Sequence, residues 1–255
     1  MTCSSSVLIL ATLLTALAGS AGAQDDSSDN GTDPTRLSRN TKLSYDDASL
    51  VSGTGVQSLK GSFGQKISAD GRTGINISFP AIATSISDDG FGAGDLSIQL
   101  TQVLAQTKSY GIVVKGEYLF DTAESSDRGA GGDLIELTAI YAMFLPDRAI
   151  FAPSLEHAFS VGSRDPGRGH VNVTTLDLYY VPRLADKRNY MTLDPALIYD
   201  WESDEMSGAL AVTLGRQFDL GLPGNESFYI KPRFGIGAHR ALDYAVEVGF
   251  KVVGF

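Results

Sequence analysis

Cysteine, tryptophan and histidine are scarce: 255 residues hold one cysteine (Cys3), one tryptophan (Trp201) and three histidines. Cys3 precedes an apolar run and a cleavage pattern, so the mature chain is expected to be free of cysteine. That excludes a disulfide framework, a thiolate metal site and a cysteine nucleophile. Among His157, His170 and His239, only His157 has a serine at short range on a strand. Ser160 is three residues away and Ser154 also three, so both point to the opposite face. A serine hydrolase would need a partner from another strand, and that rival class stays open on these grounds alone. No catalytic, cofactor-binding or metal-binding residue is assigned. A net charge of −10 disfavours nucleic acid as a partner. Long apolar runs are also missing beyond residue 23, where the stretch 139–145 is among the longest. A chain of this kind spans a membrane only as a closed barrel.

What the chain does have begins with an expected secretory signal over residues 1–23. Residues 7–17 form its apolar core, and Ala21-Gly22-Ala23 supplies a small-x-small cleavage site. The acidic, Asp/Ser/Asn/Gly-rich segment 24–35 is expected to be a flexible lead with nothing to bury. From 36 to 255 the pattern alternates with period two. In the C-terminal stretch Phe228, Ile230, Phe234 and Ile236 make one apolar stripe. Tyr244, Val246, Val248, Phe250 and Val252 make another. Lys231, Arg233, Gly235, Glu247, Gly249 and Lys251 fall between them. Successive strand side chains face opposite ways, and each run matches the length a tilted strand needs to cross a bilayer. Apolar outside and polar inside is the pattern of a membrane barrel.

The spacing predicts an all-β, antiparallel transmembrane barrel of about twelve strands. They lie near 36–46, 55–68, 73–83, 93–105, 110–121, 134–144, 149–160, 170–182, 189–200, 206–217, 227–237 and 243–255. Tight turns alternate with longer loops, which puts both termini on the short-turn, periplasmic side. Pro153, Pro195 and Pro232 fall inside strands, where each removes a ladder donor. Phe255 is out of phase with its stripe unless a bulge lies near Val252 and Val253. A soluble secreted sandwich is the other fold that alternation allows.

Three motifs carry a family resemblance: residues 90–100 (GFGAGDLSIQL), residues 194–202 (DPALIYDWE), and TLGRQF at 213–218 followed by GLPG at 221–224. From about Thr73 onward the chain resembles the family of outer-membrane transporters named after the MetA pathway of phenol degradation. The resemblance implies an outer-membrane barrel passing small solutes, hydrophobic or aromatic compounds among them, and brings no catalytic residues.

Twelve strands give a backbone diameter near ~24 Å, leaving a lumen of roughly 12 Å once inward side chains are placed. The lumen candidates are Lys115, Glu117, Lys231, Arg233, Glu247 and Lys251. Turning the last hairpin around Arg240 sets Arg233 opposite Glu247 and predicts an ion pair there. Gly249, facing inward, is expected to accept Asp more readily than Val248 accepts Arg. The glycines at 90, 92 and 94 precede no helix and no P-loop lysine, so they read as a loop. Asp88, Asp89 and Asp95 match no Ca²⁺ loop and are expected to be solvated. The acidic outer loops carry Asp121, Glu124, Asp127, Asp133, Glu202, Asp204 and Glu205, with Arg128, Arg164 and Arg168 interspersed. The partners expected are outer-membrane lipid and lipopolysaccharide, the barrel-assembly machinery through the C-terminal strand, and small solutes. The expected function is a narrow passive channel in the bacterial outer membrane. The alternative is a structural barrel plugged by its own charges.

Overall fold

The computed structural model describes residues 29–255, so the signal at 1–23 and the first part of the lead lie outside the described residues. The elements are β1 (Asn40–Leu50), β2 (Gly55–Lys66), β3 (Thr73–Thr84), the two-residue β4 (Gly92–Ala93), β5 (Ser97–Gln106), β6 (Tyr110–Leu119) and β7 (Leu134–Phe144). There follow β8 (Ile150–Ser160), β9 (Asn172–Val181), β10 (Asn189–Asp200), β11 (Glu205–Phe218), β12 (Asn225–Ile236) and β13 (Leu242–Val253). Every long strand pairs antiparallel with its sequence neighbours, the short β4 pairing with β3 beyond the end of the β3–β5 ladder, and β1 pairs with β13 to shut the ring. Closure removes the sheet edges that would otherwise leave backbone groups unpaired in lipid.

Period-two alternation decides which side of the wall each residue takes. Leu43, Leu100, Leu137, Leu155, Leu197 and Val248 are all exposed, though each sits in mid-sheet. Exposed leucines at alternate positions around a closed ring are an apolar outer wall, which water would not support. Aromatic pairs stand at both ends of it: Tyr118–Phe120 at 4.7 Å and Tyr199–Trp201 at 4.6 Å near the loops, Tyr110–Tyr141 at 5.7 Å and Phe218–Phe228 at 5.6 Å near the turns. Such girdles belong at the two water interfaces of a barrel.

The prolines do not shift the register. Pro153 keeps its pairing with Leu178 on β9, while the ladder to β7 has a gap between Ile140–Ser154 and Met143–Phe151. Pro195 keeps Leu210 and opens a gap toward β9, and Pro232 keeps Val246 and opens one toward β11. Each ring costs hydrogen bonds to one neighbour only, because a residue's N–H points to one side of its strand.

Three expectations are corrected. The last hairpin pairs Lys231 with Glu247 and Arg233 with Ala245, two residues away from the register expected. A slip of two keeps every side chain on its own face, so the stripes were placed correctly while the partners were not. No bulge lies near Val252 and Val253: β13 ends at Val253, and Gly254, at φ 79°, turns the chain so that Phe255 lies 5.7 Å beneath the Arg39 guanidinium.

The third correction concerns the lead. Its described part, with the residues up to β1, is folded inside the turn end of the barrel. Asp29, Asn30 and Asp33 each accept a hydrogen bond from the backbone N–H two residues on, at 2.9–3.1 Å, so the polar run closes on itself in Asx turns. Thr35 is buried against Gly111 and accepts from Gln106 Nε2 at 3.0 Å. Leu37 packs on the inner-wall cluster of Val103, Val113, Ile140, Ala142 and Ala152. Tyr179 Oη donates to the Thr32 carbonyl at 2.9 Å. Gly74 and Gly111 supply the room, since a Cβ on Gly111 would collide with Thr35 and one on Gly74 would press on Leu37 at 3.3 Å. Leu37 lies outside the outer stripes, which is why β1 starts at Asn40 and not at 36.

Candidate functional site: the charged inner wall

Lys115, Glu117, Lys231, Arg233, Glu247 and Lys251 all lie on the face opposite the exposed apolar stripes. The same face holds charges that the two ends of the chain did not reveal. Strands β6 to β10 present Glu117, Glu136, Glu156, Asp177 and Asp194, with Asp200 sharing that parity at the loop end of β10. Their parity with the outward stripes was a usable signal, because each except Glu117, which lies between Gly116 and Tyr118, sits one residue from an outward Leu or Ile. Across the ring, β12, β13, β1 and β2 carry Lys231, Arg233, Lys251, Lys42 and Lys60, with Glu247 and Asp46 among them.

The two arcs differ in pairing. On the basic arc Lys42 Nζ is 2.8 Å from Glu247, and Arg233 is bonded to Asp46. Arg233 and Glu247 do not pair. Two strand positions separate them, and Lys42 and the Tyr229 hydroxyl occupy Glu247. Lys251 packs its ammonium 4.6 Å from the Tyr190 ring, a cation–π contact. Among the described residues the acidic arc has one ion pair, Lys231 to Asp194 at 3.7 Å. Glu117 accepts from Gln99 at 2.7 Å and Glu156 from Thr138 at 3.4 Å, both neutral donors. Lys115 stands among Glu117, Glu156 and Asp177, and Lys60 is near enough to Glu136 for their charges to interact. Side-chain oxygens of Asp46, Asp177 and Asp194 and the Arg233 Nε are buried without a protein partner.

Neutral seams part the arcs. The inner face of β11 offers Ala209, Ala211, Thr213 and Gly215, and β3 and β5 offer Asn76, Ser78 and Gln99. Inner glycines take aromatic rings: a Cβ on Gly249 would run into the Tyr229 ring, and one on Gly215 into Tyr190. Gly249 therefore has no space for Asp, contrary to the expectation from its inward parity.

At the loop end, residues 120–133 are pinned across the lumen side of β3. Thr84 Oγ1 donates to Asp127 at 2.7 Å, and Asp95 accepts the backbone N–H groups of Thr122, Ala123 and Ala130 at 2.6–3.1 Å. Asp95 is thus a buried structural carboxylate and not a solvated one. Arg128 is buried and donates to the Gly90 carbonyl at 3.0 Å and to Glu124 at 3.3 Å. Arg164 donates to the carbonyls of Ala130 and Gly169, and Arg168 to that of Ser126. Hydrogen bonds from Ser125 and Thr84 hold the Asp127 carboxyl below its ordinary range, and those from the Asp121 amide and Tyr118 do the same for Asp133. Partial desolvation and neighbouring carboxylates push Asp121 up.

Two other features lie off this wall. A dent of about 650 Å³ over Gly116 is lined by Leu100, Leu137 and Leu155, on the lipid-facing side. His157 also faces outward and meets Thr174 at 3.0 Å, while Ser160 Oγ lies 3.3 Å from His170 Nδ1. That hydroxyl is already bonded to the Val171 N–H at 2.9 Å and lies 3.3 Å from its carbonyl, which ties it to the loop backbone.

No family model and no curated protein matches the chain. Solved structures do. The COG4313 outer membrane channel from Pseudomonas putida F1 superposes with a TM-score of 0.63 at 11% identity, over 90% of this chain and 100% of that one. The NanC porin gives 0.56 at 12% identity over 85% and 99%, and the KdgM porin 0.53 at 9% over 83% and 98%. Chains of outer-membrane channels and porins are matched over nearly their whole length, so this chain is a closed, twelve-stranded antiparallel β-barrel with the fold of those proteins.

Proposed function

We propose that the protein is a narrow passive channel of the bacterial outer membrane, reached after secretion by an N-terminal signal, with its turn end and both termini in the periplasm. The observation that carries this reading is the two-faced wall. An apolar outer surface with aromatic girdles suits lipid, and a charged inner surface suits water. A ring of charges in a lumen of roughly 12 Å passes small solutes and holds back large ones. The likeness to channels and porins supports the reading, as does the sequence resemblance to the MetA-pathway family. The charged wall favours polar solutes over the hydrophobic or aromatic ones that the resemblance implies, because an apolar solute would strip water from those charges without replacing its hydrogen bonds.

A second reading has its own observation. Residues 29–39 sit in the turn end and residues 120–133 lie over the loop end, which favours a plugged structural barrel. Single-channel conductance of the refolded mature chain in planar bilayers separates the two. Discrete steps support the channel, and a folded, inserted but silent barrel supports the plug. Membrane fractionation tests the localisation: a folded monomer soluble without detergent sinks both.

A further inference from the structure

We propose that the inner wall acts as a dipole filter that selects small zwitterionic solutes, those bearing an ammonium and a carboxylate on one short skeleton. The inference rests on the channel reading above and names its substrate class.

Two properties of the wall carry it. The charges of the two arcs are nearly balanced in number, so a lone ion of either sign gains little from the whole ring. Yet the arcs differ in net sign: carboxylates outnumber Lys115 along β6 to β10, and cations outnumber Glu247 and Asp46 along β12 to β2. Opposite net charges on facing walls of a water-filled tube with low-dielectric surroundings set up a field across the lumen. Such a field orients a dipole and lowers its energy, far more for a zwitterion with full charges at its two ends than for an uncharged solute of equal size, whose dipole is much smaller.

The bonding pattern adds polarity to each side. Glu117, Glu136, Glu156 and Asp177 have no ion-pair partner among the described residues, and Asp177 keeps an oxygen without any protein partner. They remain free to receive an ammonium, with Lys115 as the resident cation to be exchanged. Opposite them Lys60, on the inner face of β2, has no ion pair among the described residues either, and its charge acts on Glu136. It is the group placed to receive the solute's carboxylate. The middle of β11 prevents the arcs from collapsing into continuous salt bridges, since Ala209, Ala211 and Gly215 offer no charge to bridge them; among the described residues Lys231 alone crosses it, to Asp194.

The test uses proteoliposome swelling with two isomers, zwitterionic β-alanine and uncharged lactamide, each corrected for protein-free vesicles. β-Alanine is expected to enter several-fold faster than lactamide through the wild-type protein. In Glu136→Gln/Glu156→Gln/Asp177→Asn the advantage is expected to vanish with lactamide entry unchanged. Because several buried changes could impair folding, Lys60→Gln alone is the second variant, expected to reduce the β-alanine rate several-fold and leave lactamide untouched. Reversal potentials in a salt gradient should stay close to zero for the wild type. Equal rates for the isomers, an advantage that survives these changes, or a strong preference for ions of one sign would overturn the filter while leaving the channel standing. Entry of neither solute above the protein-free rate would overturn the channel reading and the filter with it.

Discussion

Arg233 on β12 reaches over β13 to bond Asp46 on β1, passing across Ala245, a small and fully covered residue directly opposite it. Glu247, two positions further along β13, is held by Lys42 and Tyr229 instead. The basic arc is therefore two interlocked pairs that tie three strands at the seam where the barrel closes.

A double-mutant cycle separates these pairs. Arg233→Gln and Asp46→Asn are expected to couple by about 0.5–3 kcal/mol in urea unfolding, the range for residues in contact. Glu247→Gln should couple in the same way with Lys42→Gln. Its effect should add simply to that of Arg233→Gln; a comparable coupling between 233 and 247 would mean that the register is wrong.

Charge on the outer wall should be rejected. Val248→Arg is expected to lose about 2–4 kcal/mol near the bilayer midplane. Thr213→Lys, on the inner face of β11, should cost far less. Gly249→Asp is expected to be damaging despite facing inward, because its Cβ would strike the Tyr229 ring. Pairing it with Tyr229→Ala should restore part of the loss, as followed by heat-modified gel mobility.

The N-terminal segment should narrow the turn end. Leu37→Asp removes an apolar side chain from the cluster around Val113 and Ile140 and forfeits about 1.5–3 kcal/mol of its burial. Single-channel conductance is expected to rise, and Gly111→Val, which displaces Thr35, should have the same effect. Unchanged conductance in both would show that the segment does not limit flow.

Acid should loosen the outer loop. The Asp127 and Asp133 carboxyls are held below the ordinary value of 3.8, so folded protein binds their protons more weakly than unfolded chain does. Their contribution is complete above that value and is lost as pH falls through the lower folded values. Hydrogen exchange at the Asp121 amide, which donates to Asp133 Oδ1 at 2.8 Å, should be protected at neutral pH. Its protection factor, taken against the intrinsic exchange rate at each pH, should fall in acid below 3.8. Protection that persists there, or is lost well above it, would contradict the anchor.

Alternation along the strands was enough to place the barrel and its two faces, because a period of two is a local property that each residue carries with it. Tight turns and their spacing bounded most strands to within a few residues; the first is the exception, running Asn40–Leu50 where 36–46 was expected. Which charges meet was a different matter: a slip of two residues in one hairpin preserves both faces and exchanges every partner, so Arg233 found Asp46 and not Glu247. The opposed arcs likewise depend on ring closure, which sets β6 to β10 across from β12 to β2. The lead up to residue 35 read as solvated because its polar groups satisfy one another, and Leu37 read as the start of a strand because the inner wall it packs on exists only once the barrel has closed. Local alternation is written in the chain; pairing across strands, room beneath a glycine and a lumen to fold into exist only once distant segments have met.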